Sequence, residues 1–145
     1  MWVDQRGSEI LAAPECLRLV ALAAKENRIG RLATNGGQAP LVVPLNFTIY
    51  DGQVAVRIGP GRLSETVPGS LVAFEVDRIE SEGGDAWSVL IRGLASPLDP
   101  DALPLEAGFV PQPLVPTPGE IVLLIRPDVI TGRRFRFCTT SELVQ

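Results

Sequence analysis

At 145 residues, 46% hydrophobic and 21% charged, the chain has the composition of one globular domain large enough to bury a core. Its 13 basic residues stand against 17 acidic ones, a net charge of −4 that argues against nucleic acid as the main partner, and no apolar run approaches the ~20 residues that span a bilayer. There is no histidine, and Cys16 and Cys138 stand alone and far apart, so no metal site and no catalytic triad is expected and redox chemistry falls more easily to a bound organic cofactor.

Residues 1–12 show no clear period and are read as an N-terminal arm. The absence there of a basic stretch followed by an apolar run makes a cytoplasmic location the expectation. Pro14 suits the first turn of a helix, Glu15 complements its N-terminus, and Cys16, Leu19, Val20, Ala23 and Ala24 recur at helical spacing. This predicts a helix over 14–26 with Arg18, Lys25 and Glu26 in water and Cys16 as a small core residue rather than a nucleophile.

From Arg28 onward short strands alternate with turn chemistry. Asn35-Gly36-Gly37 and Asp51-Gly52 each separate apolar runs, as hairpin turns do. Between them Leu41, Val43, Leu45, Phe47 and Ile49 share one face, expected to be core, while Val42, Pro44, Asn46, Thr48 and Tyr50 share the other. Proline cannot donate to a sheet ladder, so part of this strand is expected to be an edge or an irregular stretch, with unpaired backbone available to a ligand. Next, Val54, Val56 and Ile58 alternate with Gln53, Ala55 and Arg57, and the strand runs into Gly59-Pro60-Gly61 with Arg57 and Arg62 on either side. Two readings stand: a plain tight turn with solvated arginines, or a phosphate site in which the glycines let the backbone approach and the guanidiniums match phosphate oxygens. The stretch is neither a nucleotide P-loop nor the dinucleotide fingerprint.

A short helical turn at 63–67 precedes Pro68-Gly69. In the strand at 70–77, Val72, Phe74 and Val76 alternate with Ala73, Glu75 and Asp77. Glu75 and Asp77 share a face as an acid–base pair would, but a solvated strand face accounts for them and no catalytic role is assigned. After an acidic loop at 80–85, the strand at 87–95 sets Trp87, Val89 and Ile91 against Ser88, Leu90 and Arg92. Seven prolines make 97–119 a long connection, with one helical turn near 101–107. Strands at 121–126 and 129–137 are expected to close the sheet as a hairpin, and Arg133, Arg134 and Arg136 read as a solvated or ligand-facing rim. One helix with six or seven antiparallel strands makes a closed barrel the economical architecture, because closure removes exposed edges.

Six stretches occur in a telling order and spacing: Arg28-Ile-Gly-Arg-Leu-Ala33, Val43-Pro-Leu-Asn-Phe47, Arg57-Ile-Gly-Pro-Gly-Arg62, Val72-Ala-Phe-Glu-Val-Asp77, Gly84-Asp-Ala-Trp-Ser-Val89 with Arg92-Gly93, and Ile130-Thr-Gly-Arg-Arg134. Over residues 9–135 the chain resembles the pyridoxamine 5′-phosphate oxidase-like, flavin-binding split-barrel family in its small bacterial branch. The resemblance implies a mainly β (α+β) fold: a six- to seven-stranded antiparallel split barrel with an N-terminal helix, one domain over 1–145. It also implies a homodimer with FMN, or in some branches a deazaflavin, in grooves between the subunits. The cofactor's phosphate would then meet Arg57, Ile58, Gly59, Gly61, Arg62 and Leu63. Val43, Pro44, Leu45 and Asn46 would line the flavin ring, and Trp87 and Ser88 would lie near the dimer groove. Where the family carries a lysine shortly after the glycines, this chain has Arg62, which can hold a phosphate bidentately. The implied activity is flavin-dependent oxidoreduction of an unidentified small organic substrate, without a metal and with no catalytic side chain assigned. The alternatives are a non-catalytic flavin or small-ligand binding protein on the same dimeric fold, and a structural dimer whose groove has lost its ligand. Oxidation of pyridoxamine phosphate would need a second phosphate pocket, for which only Arg133, Arg134 and Arg136 are on offer.

Overall fold

The computed structural model describes residues 2–3, 8–35, 39–79, 85–98 and 120–136. Helix α1 (Ala13–Lys25) carries Pro14 and Glu15 in its first turn and buries Cys16, Leu19, Val20 and Ala23. It ends in a Schellman turn: Asn27 takes φ 55°, its N–H reaches Ala24 O, and Arg28 N–H reaches Ala23 O at 3.0 Å. Glu15 fastens the helix by accepting from Arg18 Nη2 at 2.7 Å and from Arg134 Nη2 at 3.2 Å. The hydrogen bond from Arg18 is the main reason its carboxyl is pulled down to about 2.

The strands are β1 (Trp2–Val3), β2 (Glu9–Ile10), β3 (Ile29–Asn35), β4 (Pro40–Tyr50), β5 (Gln53–Ile58), β6 (Leu71–Ile79), β7 (Asp85–Leu98), β8 (Ile121–Ile125) and β9 (Val129–Arg136), with the short helix α2 (Arg62–Thr66) after β5. All pairings are antiparallel, and the circuit β3-β4-β5-β8-β7-β6 returns to β3 as a closed six-stranded barrel. Beyond it β9 pairs with β7, and β2 and β1 extend that edge. The arm expected at 1–12 is therefore partly strand, with Glu9 opposite Arg134. The barrel is split because β4 and β7 each serve two sheets: β4 pairs with β3 through Pro40–Asn46 and with β5 through Phe47–Tyr50. Asp51 (φ 50°) and Gly52 (φ 72°) make the β4–β5 turn with Tyr50 opposite Gln53, the type I′ geometry that an Asp-Gly pair favours.

The last two strands do not form the expected hairpin. They follow one another along the same side of β7, with Ile125 opposite Ala95 and Val129 opposite Arg92. Arg126-Pro127-Asp128 thus stands against only Gly93 and Leu94, a bulge in which Asp128 N–H bonds Arg126 O at 2.9 Å and the chain kinks instead of reversing. Gly93 is what allows it, because a Cβ there would lie 1.6 Å from Arg126 O.

The core holds Leu32, Phe74, Val76, Val89, Ile91, Leu123 and Ile125, with Phe47 set edge-on to Phe74 at 5.1 Å between ring centroids. Helix α1 packs against β4, β7 and β9, and Gly132 leaves room for Cys16, whose Sγ lies 2.5 Å from where a Cβ would be. The face of β4 expected to be core is so only in part. Phe47 is buried and Leu45 and Ile49 pack against the core, but Leu41 is exposed, because the first half of the strand runs out beyond the barrel alongside β3. The helical turn expected near 101–107, the loops at 80–84 and 99–119, Gly36, Gly37 and Cys138 lie outside the described residues.

Candidate functional site

The predicted site residues divide at a fork. Phe47 is opposite Val56, but one residue further out Asn46 pairs with Ile29 of β3 while Arg57 stays opposite Val122 of β8. One wall of the fork is Val43–Asn46, which has a ladder partner on its β3 side only among the described residues. The other is Arg57 followed by the turn into α2. The edge or irregular stretch expected from the prolines is therefore an edge on that side, and Arg57 stands where β5 parts from it. Pro44 and Asn46 share the outer face of the strand, whereas Leu45 packs inward.

Arg57 is half-buried. Its Nη1 lies 3.4 Å from Glu120 Oε2, and its Nε is buried with no hydrogen-bond partner among the described residues. Gly61 takes φ 148°, a conformation that side chains resist, and nothing lies within 4 Å of the place a Cβ would take. Its N–H donates to Ser64 Oγ at 2.9 Å, and the Ser64 hydroxyl donates to Gly61 O at 2.8 Å, so this amide is engaged in shaping the turn. Gly59 and Arg62 are exposed, and Arg62 opens α2. Ile58 is core and Leu63 packs against it, so these two hold the turn in place without facing the fork.

Trp87 and Ser88 separate. Trp87 is a core residue on the inner face of β7, while Ser88 is half-buried on the outer face between Asp77 and Arg133. On the sheet order β4-β3-β6-β7, Ser88 stands three strands from Asn46, about 14 Å at ordinary strand spacing.

Sequence reasoning passed over a cluster between them. The register aligns Pro44, Arg31, Glu75, Leu90 and Thr131 in one row across the outer face. Arg31 Nη1 donates both to Glu75 Oε2 at 3.1 Å and to Asp77 Oδ2 at 2.9 Å. Burial pushes the Glu75 carboxyl up to about 7, the hydrogen bond and charge of Asp77 add to this, and Arg31 opposes it. The pair itself was legible as two carboxylates on one strand face. The arginine opposite them, 44 residues away, follows only from strand register. Two cavities open on this outer face. One, of about 350 Å³, is lined by Ile10, Glu75, Ser88, Leu90, Thr131 and Arg133. The other, of about 480 Å³, is lined by Ala33, Pro40, Leu71, Ala73, Arg92 and Val129 among others. Among the described residues no three Cys, Asp or Glu side chains gather as metal ligands, and no described helix is long and apolar enough to cross a membrane.

The family model for pyridoxamine 5′-phosphate oxidase matches residues 13–134, from the start of α1 to within β9. The chain belongs to this family. Over 130 residues, 83% of this chain and 80% of the other, it is 29% identical to the uncharacterized protein Rv0080 of Mycobacterium tuberculosis. Its fold matches that of the FAD binding protein from Mycobacterium smegmatis with a TM-score of 0.68 and 29% identity, over 88% of this chain and 100% of that chain. A FAD-binding protein from Mesorhizobium loti shares the fold at 20% identity, with a TM-score of 0.63 over 88% of this chain and 98% of that chain. In this pyridoxamine 5′-phosphate oxidase family member, the fork carries Asn46, Arg57 and Arg62, and the outer sheet face carries Ser88 and the Arg31–Glu75–Asp77 cluster.

Proposed function

We propose that this chain is a flavin-dependent oxidoreductase that acts as a cytoplasmic homodimer on a small organic substrate. Its cofactor is FMN or, as the alternative, a deazaflavin. The observation that carries the reading is the fork: Arg57, whose buried Nε has no hydrogen-bond partner among the described residues, leads into a turn holding Gly61 and the exposed Arg62, and the strand that parts from it carries Asn46. These groups fit a phosphate ester joined to a flat, hydrogen-bonding ring. Glu120 beside Arg57 already offsets part of one positive charge, so the exposed Arg62 is the stronger phosphate partner. FAD binding by the M. smegmatis protein supports a flavin, since FAD carries the same ribityl phosphate linkage.

A bound flavin would supply the hydride or electron transfer, while the chain's own residues bind and orient it. The homodimer is supported by apolar side chains left uncovered on the outer sheet face, including Ile29, Val42, Leu71, Ile79 and Val129. Binding without turnover is the second reading. It is favoured by the fork residues themselves, because Asn46, Arg57 and Arg62 are not side-chain types that serve as general acids or bases.

Paired titrations test the proposal. Arg62→Ala removes one charge-assisted contact worth roughly 1.5 to 3 kcal/mol, so FMN binding weakens about tenfold to a hundredfold while riboflavin, which lacks the phosphate, is nearly unaffected. Equal weakening of both would make Arg62 a pocket-shaping residue. No weakening of either would return the stretch to a plain turn.

A further inference from the structure

The outer face of the sheet is apolar at its margins and charged at its centre. Val42, Ala33, Ala73, Arg92 and Val129 form one row across it, and the next holds Pro44, Arg31, Glu75, Leu90 and Thr131. Leu71 and Ile79 lie on the same face of β6 as Glu75, and Ile29 on the same face of β3 as Arg31. Both signs of charge are present, with Arg31, Arg92 and Arg133 set among Glu75 and Asp77, so a second copy related by a two-fold axis can set opposite charges against them.

We propose that this face pairs with a second copy of the chain and that the Arg31–Glu75–Asp77 cluster makes the pairing proton-dependent, each subunit taking up a proton as the dimer forms. The proposal rests on the homodimer reading above and adds its control.

With both carboxylates ionised the cluster carries one net negative charge, and two such clusters would be brought together and stripped of water in the dimer. With one proton on the carboxylate pair the cluster is neutral, and the Arg31 bridge can remain. Among the described residues, no further carboxylate faces the cluster. Pro44 faces it from β4, Leu90 and Ser88 from β7, and Thr131 from β9, all uncharged. The flanking charges are Arg92, one row away, and Arg133, which lines the same cavity as Glu75, while Ile10 is what β2 contributes there. Glu75 already titrates near neutrality in the single chain, chiefly because it is partly buried, and cover by a second copy acts in the same direction.

Sedimentation equilibrium of the full chain, at constant ionic strength and at about pH 6 and about pH 8.5, reads this directly; the dissociation constant is expected to be at least about tenfold larger at the higher pH. Glu75→Gln, neutral at every pH, should dimerise with the same constant at both. Asp77→Asn removes the neighbouring charge that opposes ionisation and should move the weakening to lower pH, which serves as a second variant should the first fold poorly. A wild-type dimer whose constant does not change with pH overturns the proton linkage and leaves the dimer standing. A wild-type chain that is monomeric at both pH values overturns both. A Glu75→Gln dimer with the wild-type pH dependence removes Glu75 from the account.

Discussion

On the inner face of the β9-β7-β6-β3-β4 sheet, Leu32, Phe74, Val76, Val89 and Ile91 are sealed against α1 and the far side of the barrel. On the outer face of the same strands, Val42, Leu71, Ile79 and Val129 recur with equal regularity, yet they are 57%, 73%, 68% and 44% exposed. Alternation assigns residues to a face. Whether that face is covered depends on elements distant in sequence or in another molecule, and α1 covers one side only. The same division runs through the carboxylates. Glu15, clamped between Arg18 and Arg134, is held low, whereas burial and a neighbouring carboxylate hold Glu75 high on the open face.

The largest expected effect lies where the closed part of the fold leaves no slack. Gly93→Ala would place a Cβ 1.6 Å from Arg126 O and 2.8 Å from Arg126 C. Those are backbone atoms in a bulge that seats β8 and β9 on β7, so no side-chain rotation relieves the clash. The loss should exceed the ~1–3 kcal/mol usual for overpacking, or prevent folding outright. Urea unfolding within about 1 kcal/mol of wild type would mean that the bulge is plastic and that the sheet is less fixed than its register suggests.

Much of this was legible in the sequence, and its limits have physical causes. Helix α1 and its buried stripe, the Asp51-Gly52 turn, the inward Val72, Phe74 and Val76, and the closed barrel all follow from local periodicity and turn chemistry. The relation of β8 to β9 was misread because a three-residue connection with a proline serves a reversal or a bulge equally well, and the Gly93 crossing that decides is more than 30 residues away. At the site, Pro44 marked the strand that parts from β5, while the place of parting, between Asn46 and Arg57, follows only from the strand register. Trp87 lies on the buried face with Val89 and Ile91, as alternation along its strand had grouped it. Arg31 bridging Glu75 and Asp77 required the β3–β6 register, which no local pattern encodes.

A smaller effect separates the two faces by pH. Glu15 has a folded-state pKa of about 2 against an ordinary 4.5, so its contribution to stability is complete above the unfolded value and is lost as pH falls from about 4.5 toward 2. Glu75 has the opposite sign. Its folded value of about 7 lies above the ordinary 4.5, so the folded chain binds the extra proton and stability declines as pH rises between them. Melting curves should therefore show the Glu15→Gln deficit shrinking below about pH 4, and Glu75→Gln gaining on wild type between about pH 5 and 7. Parallel profiles for the two variants would contradict the assignment of one carboxylate to a clamped site and the other to a partly buried one.

The smallest expected effect on folding is the most informative about the open face. Leu71 is 73% exposed and lines the larger outer cavity with Ala73, Arg92 and Val129. Leu71→Ser removes a side chain that the single chain scarcely covers, so at concentrations low enough to be monomeric its stability should stay within about 0.5 kcal/mol of wild type. If a second copy covers that face, the same side chain is desolvated on association. Burying a leucine fully is worth about 1.5 to 3 kcal/mol, so the dimer of Leu71→Ser should dissociate roughly tenfold or more easily. The two measurements constrain each other. Destabilisation of the monomer by more than about 1 kcal/mol would show that Leu71 is already packed within one chain, while an unchanged dimer constant would place the interface on another surface and leave the outer face open.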